Sequence, residues 1–265
     1  MSITSSHTLE ASQLEIGYTH KKQVISIAKN ISFALGKGEL IGLIGANGIG
    51  KSTLLKTLCG INNPINGTIK LNGKDVNTYS EQKLAKALSV VLTGNIPASN
   101  LTVTEIIALG RQPYTNWIGS LTKTDIAKIK EVIDLLKLEP IKDRKNYELS
   151  DGQLQKVLLG RALSQDTSII ILDEPTTHLD IYHKAYTLSL LKEVAHTTQK
   201  TILFSTHEID LAIQLCDQMM LLTKEDFVVN QPCNLISNGS FSNLFPKDLI
   251  RFDAATGSFK VNKTK

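Results

Sequence analysis

The stretch Gly45-Ala46-Asn47-Gly48-Ile49-Gly50-Lys51-Ser52 constrains this chain more than any other, because it sets glycines, a lysine and a hydroxyl in the order Gly-x-x-x-x-Gly-Lys-Ser. Before it, Glu39-Leu40-Ile41-Gly42-Leu43-Ile44 is short, apolar and β-branched enough to read as a buried strand. After it, Lys51 to Cys59 reads as a helix closed by Gly60. Strand, glycine turn and helix in that order bring an anion to a helix N-terminus, where free N–H groups and the positive end of the dipole meet it. Gly45, Gly48 and Gly50 let the backbone form a nest of donors with no side chain in the way. Lys51 adds a point charge for the outer phosphates, Ser52 supplies a hydroxyl for Mg²⁺, and Thr53 follows in the same helical turn. The segment predicts a nucleoside triphosphate site.

At 265 residues the chain is long enough for one large α/β domain with a smaller subdomain. Its 29 Lys plus Arg against 25 Asp plus Glu leave a net charge of only +4, with the basic residues scattered, which argues against nucleic acid as a partner. Cys59, Cys216 and Cys233 form no Cys-x-x-Cys pair and are odd in number, so neither a disulfide framework nor a zinc site is expected. No secretory leader is read at the N-terminus, and nowhere do about 18 apolar residues run together, so no spanning helix is expected.

Along the chain, Thr68 to Leu71 reads as a strand turning at Asn72-Gly73, followed by a helix near 81–88 and a strand near 89–92. From 102 to 149 the texture is helical. Thr102 with Glu105 and Thr122 with Asp125 resemble capping boxes, and Ile126, Ile129, Ile133 and Leu136 share one face of the second helix. From Ser168 onward strands and helices alternate: 168–172, a helix after Asp180, 201–204, a helix after His207, then 219–222. That βαβ texture calls for a largely parallel sheet. The simplest organisation is one domain, with an α/β core at 1–93 and 161–225, a helical insertion at 94–160 and a tail at 226–265.

Two further motifs carry chemistry. The strand Ser168-Ile-Ile-Ile-Leu ends in Asp173-Glu174, and beside a phosphate loop the first carboxylate belongs near Mg²⁺ while the second is placed to polarise an attacking water. Ser150 with Gln153 in Leu149-Ser150-Asp151-Gly152-Gln153 is an ordinary capping box, yet the helix it opens also presents N–H groups, a hydroxyl and a positive dipole end to an anion. That helix belongs to the insertion, apart from the Lys51 loop, so its anion can be a second subunit's nucleotide.

In this order, Tyr18, the phosphate loop, Leu-Ser-Asp-Gly-Gln, Ile-Leu-Asp-Glu-Pro, Thr-His-Leu-Asp180 and Ser-Thr-His207 resemble the ATP-binding cassette subunits over about residues 12–225. The resemblance implies a P-loop NTPase core of RecA type, with an antiparallel β portion near the N-terminus and an inserted all-helical subdomain. It implies that Tyr18 stacks on adenine, that Asp173 holds Mg²⁺ through water, that Glu174 is the general base and that His207 contacts the γ-phosphate. It further implies that Ser150, Asp151, Gly152 and Gln153 close over ATP held by residues 45–53 of a partner, with Asp180 linking the two sites, so hydrolysis needs a homodimer. Tyr18 is open to a second reading as a core or strand tyrosine, His207 as a helix cap or satisfied core histidine, and Asp180 as a helix cap.

One position departs from the family. Where a glutamine usually follows the strand at 89–92 and reaches Mg²⁺, this chain has Thr93, which is too short for direct contact and suits a bridging water. Asp151 also replaces the commoner glycine, and its carboxylate is expected to face solvent or the helical subdomain.

The run Leu101-Thr-Val-Thr-Glu-Ile-Ile-Ala-Leu-Gly-Arg111-Gln-Pro-Tyr114-Thr-Asn-Trp117 resembles the ATPase subunits of bacterial importers for iron–siderophore complexes, haem and cobalamin. That likeness implies docking on membrane permease subunits at the cytoplasmic face of the cell membrane, with a separate binding protein delivering the ligand. The expected docking surface is 93–100 with 111–117, Tyr114 and Trp117 being either exposed there or packed in the core. Exporter ATPases and soluble accessory ATPases, such as that of iron–sulfur cluster assembly, are the alternatives.

Overall fold

Alternation along the first two strands builds one wall of the molecule. β1 (His7–His20) pairs antiparallel with β2 (Gln23–Gly36), where Ile31, Phe33 and Leu35 are buried and the residues between them are exposed. The computed structural model describes residues 7–20, 23–92, 99–246 and 248–262. β3 (Leu40–Ile44) is buried at every position and runs into the phosphate loop, which α1 (Lys51–Leu58) follows. β4 (Asn66–Leu71) and β5 (Lys74–Asp75) form the expected hairpin, with Asn72 and Gly73 both at positive φ. α2 (Glu81–Ala85) and β6 (Leu88–Val91) complete the first half.

The next stretch is helical: α3 (Val103–Ala108), a 3₁₀ turn over 109–114, α4 (Lys123–Leu135) and α5 (Asp151–Ser164). All three expected capping boxes form, at Thr102/Glu105, Thr122/Asp125 and Ser150/Gln153. The boundary placed after residue 160 falls inside α5, which continues to Ser164. The buried stripe of α4 differs from the expected one. It passes through Asp125, Ile129, Val132, Ile133 and Leu136, and leaves Ile126 exposed, because an ion pair with Arg111 draws Asp125 inward.

The α/β alternation then returns with β7 (Ile169–Leu172), α6 (Ile181–Thr198), β8 (Thr201–Ser205), α7 (Ile209–Leu215) and β9 (Gln218–Leu222). The tail holds β10 (Phe227–Asn230), α8 (Pro232–Ser237) and a hairpin of β11 (Ile250–Asp253) and β12 (Ser258–Val261). Its apolar residues looked isolated in the sequence. In the structure Phe241, Phe245, Phe252 and Phe259 meet as one aromatic cluster against the core.

The main sheet has the order β10-β9-β3-β8-β7-β6, parallel except for β10, and the antiparallel sheet has the order β2-β1-β4-β5. Side-chain alternation divides the core. Leu40, Ile44, Ile170, Leu172, Ile202 and Phe204 face the helices, while Ile41, Leu43, Ile169, Ile171 and Leu203 face α1 and the antiparallel sheet. The expected architecture is therefore present: a parallel α/β core, an N-terminal antiparallel sheet and a helical insertion. The carboxyl ends of β3, β7 and β8 lie side by side, where ligands of open α/β sheets bind.

Candidate nucleotide site

β3 delivers Gly45 to the loop, and Gly50 closes it at φ +114°, where a Cβ would lie 2.5 Å from Ile27 Cγ2. Both the backbone conformation and the close approach of β2 thus require glycine there. Asn47 and Gly48 are exposed, while Ala46, Ile49, Ser52 and Thr53 are half-buried along the same turn. Lys51 is buried and folds back on the loop, its Nζ donating to the carbonyl oxygens of Gly45 (2.9 Å) and Ala46 (3.3 Å). Burial pushes the Lys51 ammonium below the ordinary lysine range, against the upward pull of the nearby Glu174 and Asp173 carboxylates.

The carboxylates come from the end of β7. Asp173 is buried, and Ser205 Oγ at the end of β8 donates to its Oδ1 at 2.6 Å. The same hydroxyl accepts the backbone N–H of Glu174 at 2.9 Å. One serine therefore fixes both acidic residues. Glu174 sits at φ +48°, a left-handed conformation costly for a non-glycine residue and held here by its neighbours. Thr177 Oγ1 donates to Glu174 Oε2 at 3.2 Å, and His207 Nε2 stands 2.8 Å from Glu174 Oε1, which makes Nε2 the protonated ring nitrogen. Lys51, Asp173, Glu174 and His207 thus converge at the carboxyl ends of β3, β7 and β8.

The remaining expected residues lie elsewhere. Ser150, Asp151, Gly152 and Gln153 form the first turn of α5, and among the described residues no hydrogen bond or ion pair joins them to the Lys51 loop. Asp151 is exposed, as its charge required. Asp180 caps α6, its Oδ1 accepting from His183 N at 2.8 Å. Tyr18 is about half exposed opposite Ile25 on β2, so it is not a core tyrosine. Thr93 lies outside the described residues.

One sequence expectation changes. Arg111, placed on the docking surface, is instead buried: Nε donates to Asp125 Oδ1 at 2.8 Å, Nη1 donates to Ser164 O at 2.7 Å, and the guanidinium lies 3.9 Å from the Tyr114 ring centroid. Tyr114 is half-buried beneath it and donates its hydroxyl to Gln165 O, whereas Trp117 is 94% exposed. The sequence reading quoted Ser205 in Ser-Thr-His207 and Thr177 in Thr-His-Leu-Asp180 without giving either a role. A hydroxyl at the end of a strand neighbouring Asp173 was the available signal.

Comparison with known proteins agrees with this geometry. A model of the ABC transporter family matches residues 28–177. The achromobactin transport ATP-binding protein of Dickeya dadantii is 32% identical over 237 residues, covering 89% of this chain and 87% of that protein. The iron(3+)-hydroxamate import ATP-binding protein of Bacillus subtilis is 34% identical over 218 residues, covering 82% and 80%. Among solved structures, a transporter described as of metal-chelate type, in an inward-facing conformation, superposes with a TM-score of 0.77 at 28% identity, covering 91% of this chain and 89% of its own. With a phosphate loop, paired carboxylates and a histidine gathered at the carboxyl ends of β3, β7 and β8, the chain belongs to the ABC transporter family.

Proposed function

We propose that this chain is the ATP-hydrolysing subunit of an importer that takes up an iron complex, a siderophore or haem, through a membrane permease. The observation that carries the hydrolytic part is the convergence of Lys51, Asp173, Glu174 and His207 at the carboxyl ends of β3, β7 and β8. The importer part rests on the likeness to siderophore and iron-hydroxamate ATP-binding proteins.

In this reading the 45–53 loop cradles the triphosphate, and the Lys51 ammonium transfers from the Gly45 and Ala46 carbonyls to phosphate oxygens. The Ser52 hydroxyl and the anchored Asp173 carboxylate form a hard oxygen donor set that fits Mg²⁺. That ion supplies charge neutralisation on the β- and γ-phosphates. Glu174 takes a proton from the attacking water as its oxygen bonds to the γ-phosphorus, and the bond to the β-phosphate oxygen breaks to release ADP. His207, donating from Nε2, turns from Glu174 to a γ-phosphate oxygen. Tyr18 offers its exposed ring to adenine.

Among the described residues the Ser150–Gln153 turn makes no hydrogen bond or ion pair with its own phosphate loop; in this reading it completes the site of a second copy, and the working unit is a homodimer. The dimer docks on permease subunits at the cytoplasmic face of the membrane and does not bind nucleic acid. No described helix is long and apolar enough to cross a membrane; in this reading the permease provides the attachment.

The deciding experiment is a detergent pull-down of Glu174→Gln with ATP and Mg²⁺, with partners identified by mass spectrometry. A polytopic permease and its iron-complex binding protein support the reading. A permease that transports cobalamin or exports its substrate corrects the ligand, and soluble partners alone overturn the transport role.

A further inference from the structure

The first turn of α6 touches both Asp180 and the Ser150–Gln153 turn. His183 Nδ1 lies 2.9 Å from both carboxylate oxygens of Asp180, in addition to the bond from its backbone N–H. The same imidazole covers Gly152. A Cβ on Gly152 would stand 3.0 Å from His183 Cδ2, a contact tight enough that the ring would have to shift slightly to admit it. Tyr182 packs against the ring edge-on with centroids 5.4 Å apart. On the next residue, Lys184 Nζ donates to Glu208 Oε1 at 2.5 Å, and Glu208 follows His207.

We propose that His183 is a positioning residue that holds the Asp180 carboxylate against the Gly152 turn of the same subunit, so that both elements meet a partner's nucleotide as one rigid unit. The proposal rests on the ATP-sandwich reading, because only there do Asp180 and the Ser150–Gln153 turn face a second copy. The cap bond from the His183 backbone N–H reaches only Oδ1, and a ring nitrogen 2.9 Å from both oxygens restricts the exposed carboxylate further, so less ordering is left to dimer formation. Lys184 extends the unit to the segment that carries His207, so closure over one nucleotide is felt beside the hydrolytic histidine of the other site.

The test uses the full chain in the Glu174→Gln background, with His183→Ala and His183→Asn. The asparagine amide reaches the place of Nδ1 and keeps the donor to Asp180, at a helix propensity close to that of histidine. Affinity for a fluorescent ATP analogue at low protein concentration reads the single subunit, and sedimentation with ATP reads the dimer. His183→Ala is expected to keep the first within about twofold and to weaken ATP-driven dimerisation by roughly tenfold or more, the scale of one lost charge-assisted bond. His183→Asn is expected to restore most of the dimer, and it decides the question even if the alanine variant folds poorly. A dimer as strong in His183→Ala as in its parent, or equal loss in both variants, overturns the proposal. A Glu174→Gln parent that binds the analogue yet stays monomeric with ATP brings down the sandwich reading itself, and the role of His183 with it.

Discussion

His207 and Glu174 follow the ends of two adjacent parallel strands and meet with Nε2 and Oε1 2.8 Å apart. The contact holds the carboxylate in the conformation that the left-handed Glu174 backbone imposes. Because each residue orients the other, their contributions to hydrolysis are not independent. Glu174→Gln is expected to retain nucleotide binding and to lower turnover by at least roughly 10²-fold, the scale of a lost general base. His207→Ala should fall in the same range, and the double variant should be little worse than Glu174→Gln alone. Steady-state phosphate release from the three variants checks this, and multiplicative losses would show two independent roles.

Lys51 gives a pH signature. Burial depresses its pKa, and a polyphosphate taking the place of the two carbonyl acceptors would favour the charged form and raise it. A group whose pKa is higher in the complex favours binding when protonated, so affinity is full below the free-state value and falls as pH rises through it. The fall should begin below the ordinary lysine value of about 10.4. Titrating ATP affinity from about pH 7.5 to about pH 10 reads this directly. Lys51→Ala should bind weakly throughout and lose the slope, while an unchanged affinity would remove Lys51 from the site.

The comparison of sequence with structure divides along locality. The phosphate loop, Asp173-Glu174 and the three capping boxes were legible because each depends on neighbours within a few residues or on a strand ending at a fixed place. Arg111 was misplaced because its surroundings come from Asp125 on α4 and Ser164 on α5, and nothing local marks a charged residue as paired rather than exposed. The Ser205 link to Asp173 crosses 32 residues of sequence, and the Phe241–Phe252 stack joins a 3₁₀ turn to β11. The same limit hid the covering of Gly152 by His183, since glycine in that signature reads as a family feature before any ring is seen above it.

Arg111 leads to a stability prediction. Thr122, through side-chain and backbone hydrogen bonds, holds the Asp125 carboxyl below the usual carboxylate range, and Arg111 adds to that effect against the cost of burial. Arg111→Ala leaves a buried carboxylate without its guanidinium and should cost roughly 3 kcal/mol, near the lower end for breaking a buried ion pair. Arg111→Lys should recover only part, because an ammonium cannot serve Asp125 and Ser164 with a fixed fork or stack on Tyr114 as well. Since the folded pKa of Asp125 is depressed, its contribution is complete above the unfolded value of about 4 and lost as pH falls through the folded one. Denaturant unfolding at about pH 7 and about pH 3 should therefore show the Arg111→Ala deficit shrinking at the acidic end.

Trp117 offers a direct reading of permease docking. It is the sole tryptophan, 94% exposed, in a turn where Ile118 and Leu121 are also exposed. An indole so exposed has little to pack against in the free chain, and its large apolar face favours burial in an interface. Its emission should be that of a water-exposed indole and should be readily quenched by acrylamide in the isolated protein. In a complex reconstituted with a permease whose own tryptophans have been replaced, the emission should shift to the blue and quenching should fall. Trp117→Ala should leave basal ATP hydrolysis near normal while weakening stimulation by the permease, by roughly the 1–2 kcal/mol typical of a contact outside the energetic centre of an interface. Unchanged quenching in an assembled complex would place the docking surface away from this turn.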